Sequence, residues 1–168
     1  VKKGTVRQLP IMLLLNIITC GWYYIYWIYK TSSEIKYFTE RHDLNPSIEV
    51  LLGIITGGLY FKYWYYKYGN IVYKEMPLKV GMNNSENKTM MLVIIDLAVA
   101  SIYFLNLIAS IIILLIALND PPIRGDDLML LIRLIPTGII FIVNISSLIM
   151  QDKLNNIWKQ ENKSRLKY

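Results

Sequence analysis

The chain has one cysteine and one histidine among its 168 residues, and the two scarcities exclude a good deal. Cys20 alone cannot close an intrachain disulfide. With His42 the sole imidazole, no His-pair metal site can be built. No Cys cluster, Gly-rich phosphate loop or nucleophile elbow suggests zinc, nucleotide or acyl-transfer chemistry. The expectation is a non-enzymatic protein with no catalytic residue, no metal and no cofactor. Acidic residues are also in the minority, 12 against 18 Lys and Arg. That excess would suit nucleic-acid binding in a soluble chain, but here the basic residues flank long apolar runs, which points to membrane topology and anionic lipid and away from nucleic acid.

What the chain does have is apolar sequence in blocks. Residues 9–29, 47–66, 90–118 and 128–150 are each long enough as a helix to cross a hydrocarbon core of ~30 Å at ~1.5 Å per residue. The pattern predicts an all-α polytopic membrane protein, a single membrane domain over 1–168 with four transmembrane helices. A basic start without a small-x-small cleavage pattern predicts a retained first span. Segment 31–46, with Glu34, Lys36, Glu40, Arg41, His42 and Asp43, reads as a connecting loop, and Gly69, Pro77 and Gly81 mark 68–89 as turns. Toward the tail, Leu148, Leu154, Ile157 and Trp158 form an apolar stripe among Lys153, Lys159, Lys163, Arg165 and Lys167, the pattern of an interfacial C-terminal helix lying along headgroups. Four crossings place twelve Lys or Arg on the side of both termini and four on the other. That predicts a multi-pass protein of the cell membrane with cytoplasmic termini.

One stretch occurs twice. Residues 17–30, IITCGWYYIYWIYK, return as 54–67, IITGGLYFKYWYYK, with nine of fourteen positions identical. Each copy passes a Thr-x-Gly step and closes on Tyr, Trp and Lys, the order expected where a helix leaves hydrocarbon for the headgroup layer. One crossing per copy sets the copies in opposite orientations, an inverted repeat in miniature. The competing arrangement, a copy that dips and turns back, is disfavoured because non-helical backbone at that depth must be covered. Thr19, Gly21, Thr56 and Gly58 are expected to serve helix packing or a hinge. Tyr23, Tyr26, Trp27 and Lys30 share one helical face, as do Tyr60, Tyr63, Trp64 and Lys67. These faces are candidates for contact with lipid headgroups or a partner, with Trp–Lys cation–π pairs in each copy.

Lys62, Asp96 and Arg133 are the ionisable residues inside the runs. Lys62 is expected to snorkel to the surface that Lys67 reaches. Asp96 and Arg133 start from opposite sides, on the order of 12 Å apart in depth, too far for a salt bridge. Asn16, Asn106 and Asn144 suit interhelical hydrogen bonds. The preferred function is a non-enzymatic module that binds membrane lipids or another membrane protein. The alternative is a small channel or transporter, formed as a homo-oligomer, whose conduit is lined by Asp96 and Asn106.

The doubled motif, with Ser33-Glu34-Ile35, Asn45-Pro46 and the late Gln151-Asp152-Lys153-Leu154-Asn155-Asn156-Ile157-Trp158, resembles the small prokaryotic membrane proteins grouped as domain of unknown function 4234, over about residues 5 to 160. The resemblance implies an integral membrane protein of bacterial or archaeal type and no assigned activity. The second copy carries Lys62 where the first has Ile25, so the two halves need not do the same job.

Overall fold

The structure is a computed structural model that describes residues 4–83, 86–119 and 144–165. Among these residues it is all-helical: α1 (Leu9–Ile18), α2 (Trp22–Thr39), α3 (Pro46–Ile55), α4 (Tyr60–Asn70), a π-helical segment (Ile71–Glu75) running into α5 (Met76–Lys79), α6 (Thr89–Asn119) and α7 (Ile145–Arg165). Arg133, and residues 128–143 of the fourth apolar run, lie outside the described residues.

The first two apolar runs do not form unbroken helices. Each is cut at its Thr-x-Gly step and the chain reverses there. α1 ends with Cys20 N–H bonded to the Ile17 carbonyl and Gly21 N–H to that of Asn16; α3 ends with Gly57 bonded to Ile54 and Gly58 to Gly53. These paired bonds are the Schellman termination, which needs a left-handed residue after the helix. Cys20 (φ 49°) and Gly21 (φ 88°) supply it in one copy, and Gly57 (φ 58°) and Gly58 (φ 88°) in the other. Long-range pairs establish the reversal. Glu49 in the first turn of α3 meets Lys67 near the end of α4 at 2.8 Å, and the Phe61 ring of α4 lies where a Cβ on Gly53 would sit. Arg7, just before α1, meets Glu34 on α2 at 2.7 Å. Helices α1 and α2 thus make one antiparallel hairpin, α3 and α4 the other.

Local capping explains the boundaries. The Asn45 side chain accepts from Ile48 N–H at the start of α3, with Pro46 at the first helical position, where its missing N–H is not needed. The expected loop at 31–46 is mostly helix, because α2 runs to Thr39 with Thr31, Ser32, Glu34 and Ile35 buried. Likewise 68–89 is not a series of turns. Helix α4 continues through Gly69, whose missing Cβ would lie 2.8 Å from Thr89 Cγ2 on α6, and the π-widened segment precedes Pro77, which cannot supply the next ladder bond.

The core holds Trp27, Trp64 and Trp158 with Tyr65, Tyr68, Ile28, Ile35, Met150, Leu154 and Ile157. Trp27 and Trp64, equivalent in the repeat, meet edge to face at 5.7 Å. The tail was expected to lie along headgroups, yet its apolar stripe is buried against protein: Trp158 packs edge-on against Phe38 at 5.0 Å, and Gly4 rests on its indole. α6 runs antiparallel to α4. The stretch Thr89–Ile112 is apolar and long enough to cross a membrane.

Candidate functional site

Two features stand apart from the core: the hairpin tips and a buried polar cluster beside them. At each tip one threonine hydroxyl ties the two helices together. Thr19 Oγ1 donates to the Leu15 carbonyl (2.7 Å) and accepts from Tyr23 N–H (2.9 Å). Thr56 Oγ1 donates to Leu52 (2.7 Å) and accepts from Tyr60 N–H (3.0 Å). A hydroxyl does both through one atom, which suits threonine or serine at this position. The other amides of the turns also find acceptors: Trp22 and Leu59 on the Thr19 and Thr56 carbonyls, Tyr24 and Phe61 on those of Gly21 and Gly58. Thr19, Gly21, Thr56 and Gly58 are therefore turn-forming residues. Around them stand the most exposed large apolar side chains of the two hairpins, Ile18 (67%), Trp22 (71%), Ile55 (71%) and Leu59 (70%).

The aromatic faces divide. Trp27 and Trp64 are buried and held by their indole N–H groups, Trp27 to Gln151 Oε1 at 2.7 Å and Trp64 to Ser32 Oγ at 2.8 Å. They are packing residues and do not face a ligand. Of the tyrosines, Tyr26 and Tyr63 are exposed while Tyr23 and Tyr60 are half-buried against the core; Tyr23–Tyr26 and Tyr60–Tyr63 form tilted pairs with centroids 5.8 and 5.6 Å apart. Lys30 and Lys67 are half-buried. Lys67 is given over to Glu49, with its ammonium 5.7 Å from the Tyr68 ring centroid, so the cation–π partner is tyrosine where tryptophan was expected.

Lys62 does not snorkel outward. Its ammonium lies 2.9 Å from Asp96 Oδ2 on α6 and donates to the Gly58 carbonyl at the tip (3.3 Å). The Asn144 amide donates to Asp96 Oδ1 (2.8 Å) while its own oxygen accepts from Tyr65 OH (2.8 Å) and Ser147 N–H (2.8 Å). Lys62, Asp96, Asn144 and Tyr65 thus join α4, α6 and the start of α7. Asn106 lies ten residues further along α6, about 15 Å by helical rise, and is not brought to Asp96. The sequence signal for the partner of Asp96 was the one lysine that breaks the repeat.

A second network, unassigned from sequence, clamps the N-terminal strap. Asn155 accepts from the Arg7 backbone N–H (2.9 Å) and donates to the Arg7 carbonyl (2.7 Å), and the Arg7 guanidinium bonds Gln151 (3.2 Å) and Glu34 (2.7 Å). The motif residues Glu34, Gln151 and Asn155 are thereby explained as structural partners of one arginine.

No curated protein and no solved structure matches the chain. A family model does, over the two hairpins and the π-helical segment after them. Residues 7–74, which contain both Thr-x-Gly turns, match Domain of unknown function (DUF4234).

Proposed function

We propose that this is an integral membrane protein, anchored by α6, whose two hairpins enter one leaflet from the cytoplasmic side, and that it works as a non-enzymatic module binding membrane lipid. The observation that carries the proposal is the backbone of the tips. Non-helical chain is tolerated in hydrocarbon only where its polar groups are satisfied, and from Thr19 to Tyr24 and from Thr56 to Phe61 every amide N–H has an acceptor within the turn.

Polarity and length support it. Each hairpin carries a charged pair at its open end and bulky apolar groups at its tip. α1 and α3, ten residues each, are ~15 Å long, about half of a hydrocarbon core. With hairpins in place of crossings, residues 1–7, 30–45, 67–88 and 151–168 share one side and hold fifteen of the eighteen Lys and Arg, a stronger inside bias than four crossings give. The exposed Tyr29 and Tyr66, with Lys30, stand toward the open ends and would then meet headgroups, while Tyr23, Tyr26, Tyr60 and Tyr63 lie within about a turn of the tips and would meet acyl chain. An impermeant thiol reagent tests this on intact cells, using single cysteines at Asp43, Lys74, Gly125 and Lys163 in a Cys20→Ser background. Position 125 alone should label until the membrane is opened. Labelling at 43 together with 125, and not at 74, restores crossings and defeats the hairpins.

The part-buried Lys62–Asp96–Asn144–Tyr65 chain favours one second reading, a conduit for protons or ions in an oligomer, since charged groups beside a spanning helix commonly mark such paths. Flux into proteoliposomes that Asp96→Asn abolishes is its test.

A further inference from the structure

We infer that the protein acts as a one-sided wedge that favours membranes convex toward the hairpin-bearing leaflet. This rests on the membrane reading above.

The observation is an imbalance of width along α6. The Lys62 ammonium touches both Asp96 and the Gly58 carbonyl at the tip of the second hairpin, so that tip ends level with Asp96. Asp96 lies seven residues after Thr89, and α6 continues to Asn119. Over its first two turns, roughly 10 Å of rise, α6 has α4 alongside and the rest of the aromatic core packed behind. Past Asp96, among the described residues, no hairpin accompanies it, and Ile102, Phe104, Leu105, Ile111, Ile112 and Leu115 are exposed. Four hairpin helices, each about 10–12 Å across with side chains, therefore displace lipid on the Thr89 side of the helix and not on the Asn119 side. Area added to one leaflet alone is relieved when that leaflet lies on the outside of a curve, the physical basis on which one-sided insertions sense curvature. The fold resists flattening the wedge. The hairpins are bolted to each other by Trp27 against Trp64 and to α6 by the Gly69–Thr89 approach and the Lys62–Asp96 pair.

The experiment is synthesis of the full chain in the presence of preformed anionic liposomes, so that the basic end stays outside, followed by flotation and measurement of protein per lipid. Vesicles of about 50 nm and about 400 nm diameter should differ at least about twofold in favour of the small ones. A second chain carries Ile18→Asp and Ile55→Asp, both at exposed tip positions away from the core. It should still float through α6 but lose the preference. Failure of the unaltered chain to float at all removes the membrane reading and the wedge together. Flotation with equal density on both sizes overturns the wedge alone, as does a preference that survives in the tip variant.

Discussion

The Lys67 ammonium lies 2.8 Å from the Glu49 carboxylate across eighteen residues of sequence. In an unbroken helix that separation would be about 27 Å, so this one pair requires the chain to reverse at Thr56-Gly57-Gly58. Glu49 is buried and Lys67 about a quarter exposed. Lys67→Met leaves the carboxylate unpaired and should lower stability by roughly 2–4 kcal/mol, whereas Glu49→Met with Lys67→Met should recover much of the loss, because a buried pair is worth less than the penalty of an orphaned charge. Thermal unfolding in detergent, followed by near-ultraviolet circular dichroism, checks both. Equal loss in single and double variants would show that the pair does not hold the hairpin.

Cys20 and Gly57 occupy the same left-handed position in the two tips. A side chain there is strained by ~1–2 kcal/mol, partly offset by the ~0.5–1 kcal/mol that glycine loses on ordering. Cys20→Gly should therefore raise the midpoint of thermal unfolding, while Gly57→Ala should lower it. Thr19→Val removes both bonds of the bridging hydroxyl and should cost about 1–2 kcal/mol, with Thr19→Ser nearly neutral.

The helices, and the special character of Thr-x-Gly, were legible because caps and turns are local: a threonine between a carbonyl and an amide, a glycine at positive φ. The direction of the chain after the turn was not. A Schellman end can lead into a kink or a hairpin, and the choice is made by Arg7 with Glu34, Glu49 with Lys67 and Phe61 on Gly53, contacts that no periodicity reveals. The stripe of Leu154, Ile157 and Trp158 was visible, yet an apolar stripe is the same whether it meets lipid or Phe38. Lys62 was marked by departing from its repeat. Its partner Asp96 emerged only with the antiparallel register of α4 and α6.

Asn155 takes both backbone groups of Arg7. Asn155→Ala should release the strap, so that the Arg7 amide exchanges hydrogen at least about tenfold faster, the equivalent of ~1.4 kcal/mol of lost protection. Exchange in α3 and α4 should be unchanged. Hydrogen exchange read by mass spectrometry on peptides spanning residues 4–12 decides it.

Tyr73, outside the hairpins, is pushed up to about 12 by burial first and by the Asp152 carboxylate second. Its folded form thus holds the phenol proton more tightly than the unfolded chain, whose tyrosine titrates near 10. The associated stability is complete below pH 10 and disappears as pH rises through 12. At about 1.4 kcal/mol per unit, the unaltered chain should lose roughly 2–3 kcal/mol more than Tyr73→Phe between pH 9.5 and 12.5. Urea unfolding of both chains across that range, compared by difference so that the other tyrosines cancel, measures it. Parallel curves would mean that the phenol titrates alike in both states.

Lys62→Ile restores to the second hairpin the residue that the first carries at position 25, and so asks what the departure is for. In the native chain the ammonium neutralises Asp96 and caps the Gly58 carbonyl. Without it the carboxylate keeps, among the described residues, the Asn144 amide as its hydrogen-bond donor, and a loss of roughly 2–4 kcal/mol is expected. Adding Asp96→Asn, which removes the charge but keeps the size, should return most of that loss. If Lys62→Ile unfolds like the native chain, the ion pair does not fix α4 on α6. The close approach of Gly69 to Thr89 then sets their register alone, and Gly69→Ala becomes the substitution that separates the second hairpin from the spanning helix.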